Sequence, residues 1–208
     1  MKEFNGISFL SVGSGTVIQY IQASYGNDDA FEWYGGKVDC SFLYANDDDN
    51  LDTDEGYRGT IFNAYCKNNN TNASADSRGI EFDNNPSNFT ASPISSPTFR
   101  NTTLIGRGRV ANGSQREGVF IRRGTKMNID NIYIYEYATA IGVEHNETIA
   151  FLDNASKLNT VTMLGATKNI VGKYSKGFIV SLSNFVTLGA ATGAGNDAEK
   201  LIWANFIG

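Results

Sequence analysis

A short segment of alternating apolar and polar residues recurs at intervals that begin near 20 residues. Residues 27–33 align with residues 47–53, and further copies are residues 79–83, 118–122 and 140–144. Alternation with a period of two is typical of a strand that buries one face. Because equivalent positions recur in order, the copies are expected to stack on one another as in a parallel solenoid.

Stacking the copies in this way defines which side chains face the interior. The first inward column contains Phe31, Leu51, Ile80, Val119 and Ile141, and the second contains Trp33, Thr53, Phe82, Ile121 and Val143. A further stripe is expected through Val17, Val38 and Ile61. A helical period is confined to a short piece near residues 196–205, which argues against alternating helices and strands. The sequence therefore predicts an all-β fold, a right-handed parallel β-helix of about six or seven coils, as one domain over residues 1–208.

Charge is segregated along the chain, although the net charge is only −5. Ten acidic residues and one lysine lie between residues 27 and 55, which gives this segment a net charge of −9. Six of the eight arginines lie between residues 100 and 123. A net acidic chain is not typical of a nucleic-acid-binding protein, and no apolar run is long enough to span a bilayer.

Several segments carry a resemblance to a known group of proteins, namely Ser14–Gln22, Tyr25–Glu32, Asn46–Asp49, Asp54–Gly59 and Trp203–Phe206. They resemble the C-terminal part of a β-helix family of bacterial secreted or outer-surface lipoproteins, common in Bacteroidetes and marine bacteria. The resemblance implies a pectate-lyase-like fold and an extracytoplasmic location, and it carries no assigned activity. Because members are longer at the N-terminus, the chain is expected to begin partway through the pattern, without its first coils.

Acidic side chains dominate the outward positions of the repeated strand. One outward column reads Glu32, Asp52, Glu81, Phe120 and Gly142, and the next reads Tyr34, Asp54, Asp83, Arg122 and Glu144. Carboxylates on consecutive coils lie about 5 Å apart, where each like-charge pair costs about 1 kcal/mol in water. The sequence predicts a ligand-binding surface made by Glu32, Asp52, Asp54, Glu81, Asp83 and Arg122.

The turns before the repeated strand add further carboxylates, because Asp28 stacks on Asp48 and Asp29 on Asp49. Calcium takes about six to eight oxygen ligands from carboxylates and backbone carbonyls in flexible geometry. A Ca²⁺ ion is therefore a candidate cofactor, and its candidate ligands are Asp28, Asp29, Asp47, Asp48, Asp49, Asp52 and Asp54. The alternative is that these aspartates form turns by hydrogen-bonding the backbone, with their carboxylates in water.

Arg122 has two interpretations. It aligns with Asp83 on one side and Glu144 on the other, and opposite charges pair readily across strands, which favours an ion-pair ladder. In pectate lyases, acidic residues on adjacent coils hold Ca²⁺ and an arginine abstracts a proton from a uronate. Arg122 is expected to lie several coils from the densest acidic segment, and this departs from that arrangement. A glycosidase pair drawn from the outward carboxylates is also open, since such pairs lie about 5 to 9 Å apart.

Two classes of function follow. The first is a non-catalytic module of a cell-surface or secreted protein, used for adhesion or glycan binding, with polysaccharide as partner and Ca²⁺ as structural cofactor. The second is a polysaccharide lyase or glycosidase that uses the acidic ladder, and the offset of Arg122 favours the first class. An uncapped solenoid end exposes strand edges, so self-association through the N-terminal end is expected to cover Phe4, Ile7 and Phe9.

Overall fold

A computed structural model describes residues 4–46, 49–68, 77–108, 117–152, 155–173 and 185–195. Its strands form two parallel sheets of seven strands each. Sheet A contains, in spatial order, β1 (Ile7–Leu10), β3 (Phe31–Tyr34), β5 (Leu51–Asp54), β7 (Ile80–Phe82), β9 (Glu117–Ile121), β11 (Thr139–Glu144) and β13 (Lys168–Lys173). Sheet B contains β2 (Val17–Ser24), β4 (Asp39–Asn46), β6 (Thr60–Lys67), β8 (Thr98–Ile105), β10 (Asn128–Tyr135), β12 (Lys157–Leu164) and β14 (Val186–Leu188). One helix, α1 (Asn146–Leu152), follows β11.

Each coil contributes one short strand to sheet A and one strand, usually longer, to sheet B. Every strand pairs in parallel with the equivalent strand of the coil before or after it. The described residues form seven such coils, within the expected six or seven. A chain that alternates between two sheets and returns each time to pair with its own previous turn is a parallel β-helix, so the predicted fold class is confirmed.

The repeat read from the sequence matches the observed register of sheet A. The first inward column contains, in order, Ile7, Phe31, Leu51, Ile80, Val119, Ile141 and Ile170. The five predicted members, from Phe31 to Ile141, are fully buried. The second predicted column, from Trp33 to Val143, is buried as well. The core is therefore a stack of equivalent side chains, one from each coil.

The eight-residue strands of sheet B bend sharply at their fourth residue. This corner residue has a positive φ, between 52° and 61°, in six successive coils: Tyr20, Phe42, Asn63, Asn101, Asn131 and Thr160. The three asparagines form a ladder, because Asn101 donates to Asn63 at 3.0 Å and Asn131 donates to Asn101 at 2.8 Å. Asparagine accepts a positive φ more readily than most residues, and the ladder satisfies its amide between coils.

The predicted stripe through Val17, Val38 and Ile61 is wrong in two of its three members. Val17 is 77% exposed, and Val38 is buried but precedes β4. Ile61 instead pairs with Cys40, which pairs with Ile18. The number of residues between the turn glycine and the first inward side chain differs from coil to coil, so counting from the turn loses the register.

The N-terminal end exposes one predicted residue and buries another. Phe4 is 74% exposed, whereas Phe9 is only 7% exposed because its ring stacks on Trp33 with centroids 5.2 Å apart. Ile7 is partly buried. The short helical piece expected near residues 196–205 lies outside the described residues. None of the helical segments in the described ranges has the length and apolar character needed to cross a membrane.

Candidate functional site

The outward face of sheet A brings the predicted ligand-binding residues into two columns. These are Glu32, Asp52, Glu81 and Phe120, and beside them Tyr34, Asp54, Asp83 and Arg122. Asp83 and Arg122 lie just past β7 and β9, where their N–H groups donate to the carbonyls of Thr53 and Phe82 at 2.8 and 2.9 Å. Asp83 is nevertheless only 2% exposed. This part of the face is therefore packed and is not a flat, solvated surface.

Arg78 is the centre of a buried ion-pair network that the sequence analysis missed. Its guanidinium group lies 3.2 Å from Asp49, 2.7 Å from Glu81 and 3.5 Å from Glu117. The Arg78 side chain is 4% exposed, so its charge and those of its partners are compensated inside the protein. The signal was available in the repeat, since the position two residues before the core column reads Asp49, Arg78 and Glu117 in consecutive coils.

Arg122 and Arg123 neutralise the next carboxylates on the face. Arg122 Nε lies 2.8 Å from Asp83 Oδ1, and a terminal nitrogen of the same side chain pairs with Glu81. Arg123 Nη1 lies 2.5 Å from the second Asp83 oxygen. The expected pairing of Arg122 with Asp83 is confirmed. The stacking of coils brings residues 39 apart in sequence into contact. Arg122, just past β9, nevertheless lies two strands away from β5, which carries Asp52, so it is offset from the densest acidic segment.

An aromatic ring and a histidine complete this arginine-rich part. The guanidinium groups of Arg78 and Arg122 lie over the Phe120 ring, 4.8 and 5.3 Å from its centre. His145 Nδ1 accepts a hydrogen bond from the Arg123 N–H at 3.1 Å. The imidazole therefore links the corner after β11 to the backbone just past β9, and the chain has no other histidine to join it in a metal site.

Three carboxyl groups converge at the other end of the face, on the second and third coils. One oxygen from each of Asp29, Glu32 and Asp52 lies within 4.8 Å of the other two. We call these three residues the acidic cluster. Oδ1 of Asp52 is buried and has no hydrogen-bond partner among the described residues. Glu32 is positioned by hydrogen bonds from the Asn5 amide and the Tyr34 hydroxyl.

Burial makes a bare negative charge costly along this face. Desolvation raises the pKa of Glu32, and it raises the pKa of Asp52 well above its usual range, with neighbouring carboxylates adding to the shift. Burial also raises the pKa of Asp54. It raises the pKa of Asp83 to about 7, although the charge of Arg123 opposes this shift. A positive partner placed in the acidic cluster would relieve this cost.

The geometry of the acidic cluster fits a divalent cation. Ligand oxygens lie about 2.4 Å from a bound Ca²⁺, so any two of them are at most about 5 Å apart. The observed spread of 4.8 Å meets this limit. Asp52 Oδ1 offers a buried oxygen that loses no hydrogen bond on binding a metal. Three carboxylates fill part of the coordination sphere, and backbone oxygens, water or a ligand would supply the rest.

Two of the predicted metal ligands have other partners. Asp49 pairs with the Arg78 side chain and accepts a hydrogen bond from the Arg78 N–H at 2.5 Å. Asp54 accepts a hydrogen bond from the Glu55 N–H at 2.6 Å. The structure thus places Asp49 in the arginine-rich part of the face and uses Asp54 to close the turn after β5.

The other predicted metal ligands are distributed differently. Asp28 is half-buried in the turn before β3 and is not a member of the acidic cluster. Asp47 and Asp48 lie outside the described residues. The acidic cluster contains two of the predicted metal ligands and adds Glu32, which the sequence analysis assigned to ligand binding alone.

Comparison with known proteins agrees with this architecture. The sequence matches the pectate-lyase-like beta-helix domain over residues 1–207. No curated protein and no solved structure matches the chain significantly. The family match covers nearly the whole sequence, and the two parallel sheets are the architecture that the family description names. The chain therefore belongs to the pectate-lyase-like beta-helix domain family.

Proposed function

We propose that this chain is a non-catalytic β-helix module of a secreted or cell-surface protein, and that it binds polysaccharide through a Ca²⁺ ion held by the acidic cluster. Asp29, Glu32 and Asp52 would supply three carboxylate ligands. Oxygen atoms of a bound sugar would complete the coordination of the ion. The location follows from the resemblance to secreted and outer-surface lipoproteins, and the polysaccharide from the name of the family.

One observation carries the proposal, namely the buried Asp52 oxygen that has no hydrogen-bond partner beside two further carboxyl groups. A buried acceptor without a partner loses its hydration and gains nothing in return. Raised pKa values of Glu32 and Asp52 show the same cost. A divalent cation would supply both the missing partner and the missing positive charge.

The ion pairs of Arg122 favour binding over catalysis. A base that abstracts a proton must be able to lose its own proton and must reach the substrate. Burial lowers the pKa of Arg122 only to about 10, so its guanidinium group stays charged at neutral pH. That group is also held by Glu81 and Asp83.

A polysaccharide lyase or glycosidase is the second candidate, and one carboxyl group favours it. Asp83, whose pKa is raised to about 7, would carry a proton part of the time at neutral pH, as a general acid must. Its burial and its two arginine partners count against contact with a sugar.

Binding to a panel of immobilised acidic and neutral polysaccharides, in millimolar Ca²⁺ and in EDTA, tests the proposal. The parent protein should bind at least one acidic polysaccharide in Ca²⁺ and lose at least tenfold in affinity in EDTA. Asp52→Asn should bind that acidic polysaccharide weakly in both buffers. Asp130→Asn removes an exposed carboxylate from sheet B and should behave as the parent.

The same samples separate the two candidate functions. If the parent generates new reducing or unsaturated sugar ends and Asp83→Asn does not, the protein is an enzyme and the proposal of a non-catalytic module is wrong. If every polysaccharide binds equally in Ca²⁺ and in EDTA, binding does not depend on a cation and that part of the proposal is wrong.

A further inference from the structure

A concave surface lies on sheet B, away from the acidic cluster of sheet A. It is a groove of about 380 Å³ across the first three coils. Its lining includes side chains from β2, β4 and β6 and from the loop before β2, among them Thr16, Val17, Gln19, Asp39, Ser41 and Phe62. We call this surface the corner groove, because the corner residues of sheet B follow directly on Gln19 and Ser41.

A strip of aromatic rings borders the corner groove. Tyr20 and Phe42 stack face to face, with ring centroids 4.6 Å apart and an angle of 3° between the planes. Phe62, which lines the groove, meets Phe42 edge-on at 6.5 Å. Tyr20 is 54% exposed and Phe62 is 38% exposed. Contiguous exposed aromatic surface of this kind commonly marks a binding site.

The fold does not require aromatic residues at these corners. Tyr20 and Phe42 have φ values of 56° and 57°, a conformation that is strained for bulky side chains. The next three coils place asparagine at the same corner, where it adopts this φ at lower cost and forms the ladder. The first two coils therefore keep exposed rings where a less strained polar residue is available, which points to a role for the rings outside folding.

The lining of the corner groove indicates an uncharged, hydroxyl-rich ligand. Among the described residues that line it, none is a lysine or arginine, and Asp39 is the one that carries a charge. The Asp39 carboxylate already accepts a hydrogen bond from the Thr60 N–H at 2.7 Å. Serine, threonine and glutamine supply groups that both donate and accept hydrogen bonds. The segment from residue 27 to residue 55, which forms the second coil and the start of the third, carries a net charge of −9, so it repels polyanions.

We infer that the corner groove binds a neutral glycan chain, with sugar rings lying against Phe62 and Tyr20 and their hydroxyl groups bonded to Gln19 and Ser41. The inference rests on the proposed carbohydrate-binding function, but it assigns a separate surface and a different class of sugar. Binding here needs no cation, because the groove lies on the other sheet and contains none of the acidic cluster.

Affinity electrophoresis in EDTA tests this inference, with gels that contain a neutral glucan, xylan or mannan, or polygalacturonate. At least one neutral polysaccharide should retard the parent protein, and polygalacturonate should not. The double variant Tyr20→Asn and Phe42→Asn should lose at least tenfold in affinity, and so should Phe62→Thr. The double variant introduces the residue type that the next three coils use at this corner, so it should fold at least as well as the parent.

Matched controls separate this inference from the proposed function. Asp52→Asn should keep neutral-glycan binding, and Tyr133→Ala, on the fifth coil of sheet B, should also keep it. If the Asn double variant and Phe62→Thr bind neutral glycans as well as the parent does, the inference that the corner groove is the binding site is wrong. Binding of peptides from a library, without binding of any neutral glycan, would overturn the inference too. Calcium-dependent binding of an acidic polysaccharide, without any neutral binding in EDTA, would overturn the corner groove alone, whereas loss of both would overturn the proposed function as well.

Discussion

Asp52 is the residue of the acidic cluster on which the proposed function depends. Its Oδ1 atom is buried without a hydrogen-bond partner, and its pKa is raised by desolvation and by neighbouring carboxylates. A carboxyl group with a raised folded-state pKa binds protons more tightly in the folded protein than in the unfolded chain. Stability is therefore lost as the pH rises from the unfolded value, about 4, through the raised folded value.

We expect Asp52→Asn to remove part of this pH dependence in EDTA. The variant and the parent should have similar unfolding free energies near pH 3, where the carboxyl group is mostly protonated in both states. At pH 8 the variant should be the more stable, because it has no charge to bury. Urea denaturation across this pH range provides the measurement, with Asp130→Asn as the exposed control. A variant that is less stable than the parent at pH 8 would contradict this account of Asp52.

Arg78 presents the opposite situation, a buried cation that holds several carboxylates. Arg78→Ala should lower the free energy of unfolding by about 3–5 kcal/mol, because it leaves the charges of Asp49, Glu81 and Glu117 without their common partner. Arg58→Ala, at an exposed position, should change it by no more than about 0.5 kcal/mol. Equal effects of the two substitutions in denaturant titrations would mean that the network contributes little.

At the scale of the elements, the corner of sheet B is set by a single backbone conformation repeated in every long strand. Asn101 donates to one neighbouring asparagine and accepts from the other, and its φ is 56°. The corner therefore combines a backbone requirement with a side-chain ladder.

Substitutions at Asn101 should separate these two contributions. Asn101→Ala should cost about 1–3 kcal/mol, since it loses the ladder bonds and also strains the backbone. Asn101→Gly loses the same bonds but accepts the positive φ, so it should cost less. Chemical denaturation measures both variants, and an alanine variant as stable as the glycine variant would show that the φ requirement is weak.

Sheet A could be predicted from the sequence almost residue by residue, because its strands are short and each coil repeats the same alternation. The columns that begin at Phe31 and Trp33 needed only the alignment of the copies. Sheet B could not, because its corner residues interrupt the alternation and the spacing from turn to strand varies, which misplaced Val17 and Val38. The ion pairs of Arg78 follow from the same alignment, because Asp49, Arg78 and Glu117 occupy equivalent positions in consecutive coils.

The acidic cluster could be predicted only in outline. The abundance of carboxylates between residues 27 and 55 was evident, and so was their approximate stacking. Which of them remain without an arginine depends on long-range pairing, since Asp49 is paired with Arg78 and Asp83 with Arg122 and Arg123. The alignment places these arginines beside their carboxylates, whereas the convergence of Asp29, Glu32 and Asp52 depends on how side chains of neighbouring coils pack.

At the scale of the whole molecule, the N-terminal end is the most exposed apolar surface among the described residues. Phe4 is 74% exposed and Leu10 is 70% exposed, and in the described chain β1 and β2 each pair on one side only. An unpaired strand edge with apolar neighbours is a template for association.

We expect concentration-dependent self-association through this end. Sedimentation velocity should show dimers that Leu10→Lys weakens, because a charged side chain on an edge strand opposes edge-to-edge pairing. Leu164 is also exposed but lies on sheet B, so Leu164→Lys should leave the proportion of dimers unchanged. A monomer at every concentration would leave the end covered by nothing but solvent and would contradict the prediction.

Because charge is unevenly distributed over the molecule, the central claim at this scale is that Ca²⁺ binds and stabilises the folded protein. Ligand that binds only the folded form stabilises it by RT ln(1 + [L]/Kd), which is about 2.7 kcal/mol at a hundredfold excess over Kd. The arginines neutralise one part of the face of sheet A, and the acidic cluster is the part where a cation would act. Glu32 and Asp52 should therefore determine how stability responds to calcium.

Thermal unfolding in EDTA and in millimolar Ca²⁺ tests this claim most directly, with the parent protein and the double variant Glu32→Gln and Asp52→Asn. The parent midpoint should rise on adding Ca²⁺, and Mg²⁺ should raise it less because it demands a stricter geometry. The variant should show no rise, and in EDTA it should unfold at or above the parent midpoint. Identical parent midpoints in EDTA and in Ca²⁺ would contradict the claim, because they would mean that the acidic cluster binds no calcium.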